Sequence, residues 1–202
     1  MNKQPKKITA IVGSYRKGGI IEQAVDEILG AAHAEGAETV KVFLLDRHIE
    51  FCTNCRICAG QPGLKRGICP LQDDLTEILD TIEGSDALVL ASPMNFWTVT
   101  AVMKRFMERL ICYSYWPWSG MAPKVRSRKI DKRAVLVISS AAPSLLARIS
   151  TRMAGLMKGV ALLLGAKTAG TLWIGLAARK QEQDIGWLAR KRAARMGRML
   201  AL

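Results

Sequence analysis

Ile8-Thr9-Ala10-Ile11-Val12-Gly13-Ser14-Tyr15-Arg16-Lys17-Gly18-Gly19-Ile20-Ile21 is the stretch that decides the fold. Its first five residues form a short, apolar, largely β-branched run, suited to a strand covered on both faces. A glycine-bearing turn occupies Gly13 to Gly19. Ile21, Ala24, Val25, Ile28, Leu29 and Ala32 then recur at helical spacing, and Gly36 ends the helix. Thr39 to Leu45 reads as a second strand.

The same alternation continues along the chain. After a cysteine-rich loop at 50–70, Asp73-Asp74 opens a helix with Leu75, Ile78, Leu79 and Ile82 on one face. Ala87 to Ala91 is a third strand, broken by Ser92-Pro93, and Val99 to Leu110 carries the next helical face. Tyr113 to Lys132 is irregular. Ala134 to Ser139 is a fourth strand, Leu145 to Leu164 a helix, Lys167 to Ile174 a fifth strand and Gln181 to Leu200 a basic last helix. Strands alternating with helices imply parallel pairing and right-handed crossovers. The expectation is a single α/β domain over 1–202: a three-layer sandwich on a five-stranded parallel sheet. Ligands of such a sheet sit beyond the carboxyl ends of its strands. The loops after strands one, three and four are therefore the places to look.

Composition narrows the field. Of 202 residues, 50% are hydrophobic, enough for a substantial core, which excludes a wholly disordered chain. Lys and Arg number 30 against 17 Asp and Glu, a net charge of +13 that favours acidic partners without choosing among them. The longest apolar run, Gly159 to Ala166, is far short of the roughly 20 residues a bilayer span needs. Lys3, Lys6 and Lys7 precede an apolar run that stops at Gly13, too brief for a signal peptide. The expected setting is the cytoplasm, with no membrane partner and the five cysteines reduced.

The first loop has the makings of an anion cradle. Glycines let the backbone aim N–H groups at one spot, and the helix start adds partial positive charge. Ser14 offers a hydroxyl and Arg16 a bidentate cation. Neither GxxxxGK[ST] nor GxGxxG is present, and an ordinary strand-to-helix turn is the competing reading. In Pro93-Met94-Asn95-Phe96-Trp97, flat side chains suit either a planar ligand or core anchoring at a helix start. Ser139 to Pro143 ends strand four in small residues that let backbone approach a ligand or merely turn. Asp73 and Asp74 read as helix-start residues that cap N–H groups, not as an acid–base pair. His33 and His48 have no evident partner.

Cys52-x2-Cys55-x2-Cys58 with Cys69-Pro70 is the sharpest constellation. Thiolates at that spacing suit one corner of an iron–sulfur cluster, with a fourth arriving later; zinc, a redox disulfide or plain structural thiols are the alternatives. Cys112 stands apart and reads as a small buried apolar residue.

Gly13-Ser14-x-Arg16, Asp73-Asp74 after a cysteine loop, and Ser92-Pro93-Met94-Asn95-Phe96 leading to Lys104 together resemble the NADPH-dependent FMN reductase family, over roughly residues 8 to 175. The resemblance implies a flavodoxin-like fold with strand order 2-1-3-4-5 and an FMN-binding domain. It implies that Ser14, Arg16 and the amides of Gly18, Gly19, Ile20 and Ile21 hold the phosphate. Pro93, Met94, Asn95, Phe96 and Trp97, with Ser140 and Ala141, would lie along the ring. The cysteine motif is similar to that of the iron–sulfur flavoprotein branch, in which Cys52, Cys55, Cys58 and Cys69 would hold a [4Fe–4S] cluster. This chain departs in three places. Ile20 and Ile21 replace hydroxyl or amide side chains, Asn95 and Trp97 stand where the family commonly has Tyr and Gly, and ten residues separate Cys58 from Cys69 where a shorter gap is usual.

The implied function is an oxidoreductase. FMN takes hydride from NAD(P)H and passes electrons to a flavin, a quinone or a similar small-molecule or protein acceptor, with or without a cluster. The implied assembly is a dimer or tetramer. Since the flavin carries the chemistry, no catalytic side chain is expected. A non-enzymatic electron carrier is the alternative. A basic nucleic-acid-binding redox regulator ranks below it, because the tail Arg190-Lys191-Arg192, Arg195 and Arg198 lies opposite an apolar helix face and no nucleic-acid motif occurs.

Overall fold

Parallel pairing is what the alternating sequence requires, and the computed structural model, which describes residues 4–63, 65–127 and 129–202, has it throughout the main sheet. β1 (Lys7–Val12) leads to α1 (Ile20–Ala34) and β2 (Glu38–Phe43). The long connection that follows contains the single turn α2 (Ile57–Gly60) before α3 (Leu75–Glu83). β3 (Ala87–Pro93) and α4 (Ala101–Arg109) come next. β4 (Ser114–Tyr115) and β5 (Lys124–Val125) form a small antiparallel ribbon. β6 (Lys132–Ser139), α5 (Ser144–Ser150), α6 (Met153–Leu163), β7 (Ala166–Ile174) and α7 (Trp187–Ala201) complete the chain.

The sheet order is β2-β1-β3-β6-β7, which is 2-1-3-4-5 when the five sheet strands alone are counted. Its inner strands are apolar on both faces, as helices on both sides demand. Ile8, Ala10 and Val12 face α1 and α7, whereas Ile11 joins the core under α3, α4 and α6. β3 divides in the same way, Ala87, Val89 and Ala91 to one side and Leu88 and Leu90 to the other. The charges of α7 lie outward. Arg190, Lys191, Arg192, Arg195 and Arg198 are exposed, while Ala193, Gly197 and Leu200 are buried. Among the described residues, no helix is long and apolar enough to cross a membrane.

Some boundaries differ from the sequence reading. The helix expected over Leu145–Leu164 is two helices. Thr151 is extended (φ −137°), its hydroxyl accepts from the Met153 N–H at 3.0 Å and donates to the Trp97 carbonyl, so one side chain both starts α6 and anchors the loop after β3. The last helix starts at Trp187, not Gln181. Ile185 is buried ahead of it, its N–H bonded to the Gln23 side chain, so the apolar spacing begins before the helix does. The second strand stops at Phe43 and turns into a 3-10 segment, and the irregular stretch 113–132 contains the ribbon.

Candidate functional site

Gly13 is where β1 meets the start of α4. Its N–H donates to the Ala91 carbonyl at 2.8 Å, and its carbonyl accepts from the Thr100 hydroxyl at 2.7 Å. A Cβ here would stand 2.5 Å from Met103 Cβ, so only glycine allows the approach. The buried Ser14 hydroxyl accepts from the Arg16 N–H at 3.1 Å and shapes the turn. Arg16 is exposed, with Nη1 reaching the Gln181 carbonyl at 3.4 Å. Gly18 (φ +69°) gives its N–H to Glu22 Oε2 at 2.6 Å, and Glu22 Oε1 is 2.6 Å from Lys41 Nζ. Burial would raise the Glu22 pKa. Lys41 and the Gly18 amide outweigh it and hold the carboxyl below its usual value.

The cradle proper therefore lies one residue further on. Gly19 caps α1 in an extended conformation without a side-chain bond, which leaves the first amides of the helix open. Ile20 and Ile21 bury their side chains in the core, so these positions present backbone N–H groups alone. Partial positive charge gathers there. This arrangement suits a phosphate group. Backbone N–H groups could meet such a group there without hydroxyl side chains at Ile20 and Ile21.

The loop after β3 is a tight turn. Asn95 and Thr98 exchange backbone hydrogen bonds of 2.9 and 3.0 Å, and both residues between them are left-handed, Phe96 at φ +45° and Trp97 at +66°. Neither aromatic anchors the core, since Phe96 is 97% and Trp97 64% exposed. Such strain costs on the order of 1–3 kcal/mol per residue. Trp97→Gly is accordingly expected to raise thermal stability by up to about 1 kcal/mol, read from the melting curve, because glycine takes this conformation freely. An unchanged or lower melting temperature would count against the strain.

The edge loops are stitched together. Met94 donates to the Ser139 carbonyl at 2.7 Å. Ser140 is buried, with its N–H on the Ile174 carbonyl and its hydroxyl on that of Ala142, whereas Ala141 is exposed. The sequence-selected residues of the first, third and fourth loops thus share the carboxyl edge of the sheet. The side chain of Ser140 and the amide of Gly18 are already engaged within the protein.

Cys52, Cys55, Cys58 and Cys69 line one narrow recess together with Arg56 and Arg109. The ten-residue excursion from Cys58 to Cys69 is a closed loop. Gln61 bonds both backbone groups of Ile68, and Gly67 donates to the Cys112 carbonyl at 2.8 Å. A Cβ at Gly67 would run into the Cys58 backbone. Buried Arg126 clamps the loop, donating to the carbonyls of Cys58, Gly63 and Cys112. Arg56 lies between Trp116 and Trp118, 3.5 and 4.4 Å from the ring centroids.

Asp73 does more than start a helix. Its Oδ1 accepts from the Leu75 N–H at 3.1 Å in the manner of a cap, but its carboxylate also forms a buried ion pair with Arg109 at 2.5 Å. Asp74 and His48 exchange two bonds, of 2.8 and 2.9 Å, so both aspartates staple the cysteine loop. The histidines are ordinary: His48 pairs with Glu50 at the surface, and His33 Nδ1 lies 3.2 Å from the Ala37 carbonyl. Arg56, Arg109 and Arg126 escaped the sequence reading. Nothing in their spacing sets them apart, because their partners lie as far as 68 residues away.

The thiols differ in environment. The Ile57 N–H and, after it, the Thr53 hydroxyl hold Cys55 below the usual thiol range, with Arg109 adding to the effect. Burial, then the neighbouring sulfurs of Cys69, Cys52 and Cys55, push Cys58 up. Burial pushes Cys112 to about 12. Among the described residues, no three His, Cys, Asp or Glu stand close enough to hold a metal ion as they are. The donor set still fits a thiolate-bound, electron-rich group. All four cysteines line one recess, and the buried Nε–H groups of Arg56 and Arg109, two residues that also line it, have no partner. Helix α4 links the two regions. Thr100 caps it beside the first loop and Arg109 ends it among the cysteines, about 13 Å further along the axis.

The chain is similar to several known proteins. An iron–sulfur flavoprotein of Archaeoglobus fulgidus is 37% identical over 111 residues, 55% of this chain and 48% of that protein. One from Methanocaldococcus jannaschii is 36% identical over 103 residues, 51% of each. The chain thus spans about half the length of the curated relatives it matches. An NAD(P)H:quinone oxidoreductase from Methanothermobacter marburgensis shares the fold, with a TM-score of 0.70 at 18% identity over 96% of this chain and 98% of that one. The family model for NADPH-dependent FMN reductase matches residues 6–170, and the chain belongs to that family.

Proposed function

We propose that the chain, over 1–202, is one FMN-binding domain and an oxidoreductase that draws hydride from NAD(P)H and delivers electrons to a flavin, quinone or similar acceptor. The observation that carries this reading is the uncapped start of α1 at the carboxyl edge, beside the loops after β3 and β6. Arg16 and the amides of Gly19, Ile20 and Ile21 would take the phosphate, with Ser14 shaping their turn. Pro93 to Trp97 would border the ring, with Ala141 across from them. When bound, FMN supplies the hydride acceptor, and the protein binds, orients and shields it. Cys52, Cys55, Cys58 and Cys69 would hold a [4Fe–4S] cluster, a role supported by the shared recess and by the relatives' names. A second copy of the chain is the proposed partner of Phe96, Trp97, Leu145, Leu146 and Ile149, all exposed around the turn that Thr151 ties to α5.

Arg16→Ala tests the phosphate assignment. It removes charge-assisted bonds worth roughly 1.5–3 kcal/mol, so FMN affinity should fall about tenfold or more. Fluorescence titration with unchanged FMN binding would remove Arg16 from the site. Wild-type protein that binds FMN but does not turn over NADH or NADPH with any flavin or quinone acceptor would instead be an electron carrier.

A further inference from the structure

Among the described residues, Arg109 is the one cation whose hydrogen bond to a sulfur of the recess is seen, through Nη2 and Cys69. Its side chain is 1% exposed, and that of Asp73 is 0% exposed. Nη1 donates to Asp73 Oδ2 at 2.5 Å and to the Glu50 carbonyl at 2.7 Å. Nη2 donates to Asp73 Oδ1 at 3.3 Å and to Cys69 Sγ at 3.4 Å. Asp73 accepts in turn from the Glu50 and Leu75 amides. The carboxylate is therefore saturated, and the planar guanidinium has a single orientation in which one N–H meets Cys69.

This geometry answers a question posed by the sequence. Cys52, Cys55 and Cys58 lie on one tight segment, but Cys69 arrives after a ten-residue excursion. The excursion is closed at Gln61 and Gly67, and those contacts fix backbone, not the sulfur. The contact to the sulfur comes from α4, an element outside the cysteine loop. We propose that Arg109, oriented by Asp73, is a positioning residue for the fourth thiolate: its hydrogen bond sets the sulfur of Cys69 into the recess, so that the long gap still ends in a ligand. This inference rests on the cluster reading given above.

Lysine keeps the charge but lacks the fork, so it cannot bond Glu50, both Asp73 oxygens and Cys69 together. The test uses the full chain reconstituted anaerobically with iron and sulfide, as wild type, as Arg109→Lys and as the uncharged pair Asp73→Asn/Arg109→Gln. The double variant guards against a fold lost to one unpaired buried charge. Wild type should hold about four irons and protect all four thiols from iodoacetamide. Both variants should hold about three irons or fewer. In them Cys69 should be alkylated at least roughly tenfold faster, by cysteine-resolved mass spectrometry, while Cys52, Cys55 and Cys58 stay protected, a selectivity that general loosening cannot produce. Variants with wild-type iron and a protected Cys69 would overturn the role of Arg109 alone. So would equal exposure of all four thiols in both variants. Wild type that takes up no iron would overturn the cluster reading and this inference with it.

Discussion

Asp73→Ala should destabilise the protein by about 3–5 kcal/mol, since it strands the buried Arg109 cation and releases the Glu50 and Leu75 amides. In a chain of this size that lowers the melting temperature on the order of 10 °C. The effect should depend on pH in a definite direction. Burial alone would raise the carboxyl pKa, but Arg109 and the two amides overcome it and hold Asp73 below the ordinary carboxylate range. A depressed folded pKa gives stability that is fully present above the unfolded value, about 4, and is lost as pH falls through the folded one. The gap between wild type and Asp73→Asn in urea melts should therefore be widest at neutral pH and narrow below about pH 4. A gap that stays constant from neutral pH to pH 3 would show that the pair carries no charge-dependent stability.

Gly13→Ala should harm the proposed flavin site and the fold together. The new Cβ would lie 2.5 Å from Met103 Cβ and 3.2 Å from Met103 Cα, so relief must come from shifting backbone, not from a side-chain swing. Either α4 or the first loop moves, and the Thr100–Gly13 hydrogen bond that joins them suffers in both cases. Overpacking of this kind costs about 1–3 kcal/mol. FMN affinity should drop by about tenfold, because the shifted loop carries the open amides of α1. A variant with wild-type melting and wild-type FMN titration would show that the approach of β1 to α4 is not what shapes the cradle.

How far the sequence could be read depended on whether each signal was local. The β1 run, the glycine turn and the spacing from Ile21 to Ala32 each concern neighbours in the chain, and parallel pairing followed from their repetition, whereas the strand order was implied by the family resemblance. The break at Thr151 was not legible, since it depends on a hydroxyl that reaches the Trp97 carbonyl across 54 residues. Phe96 and Trp97 looked like core or ring-covering aromatics. Their exposure comes from two left-handed residues in succession, which composition does not announce. In the first loop, the glycines were legible. That Glu22 takes the Gly18 amide was not, because a glutamate in a first helical turn usually serves the dipole alone. The cysteine spacing was plain, but the arginines that hold the loop come from α4, from the segment beside β5 and from within the loop itself, and only the folded chain brings them together.

The proposed protein carries FMN at the carboxyl edge and an iron–sulfur cluster on four cysteines. One anaerobic preparation tests it, by absorption spectroscopy with flavin, iron and acid-labile sulfide assayed on the same sample. The expected result is flavin bands that survive Cys55→Ser, released as FMN and not FAD, over a broad absorption that the same substitution removes along with about four irons and four sulfides per chain. A colourless protein that neither retains nor takes up FMN would rule out the flavin site and the oxidoreductase function with it. Flavin without iron, and with all four thiols freely alkylated, would contradict the cluster and leave the family's flavin chemistry alone.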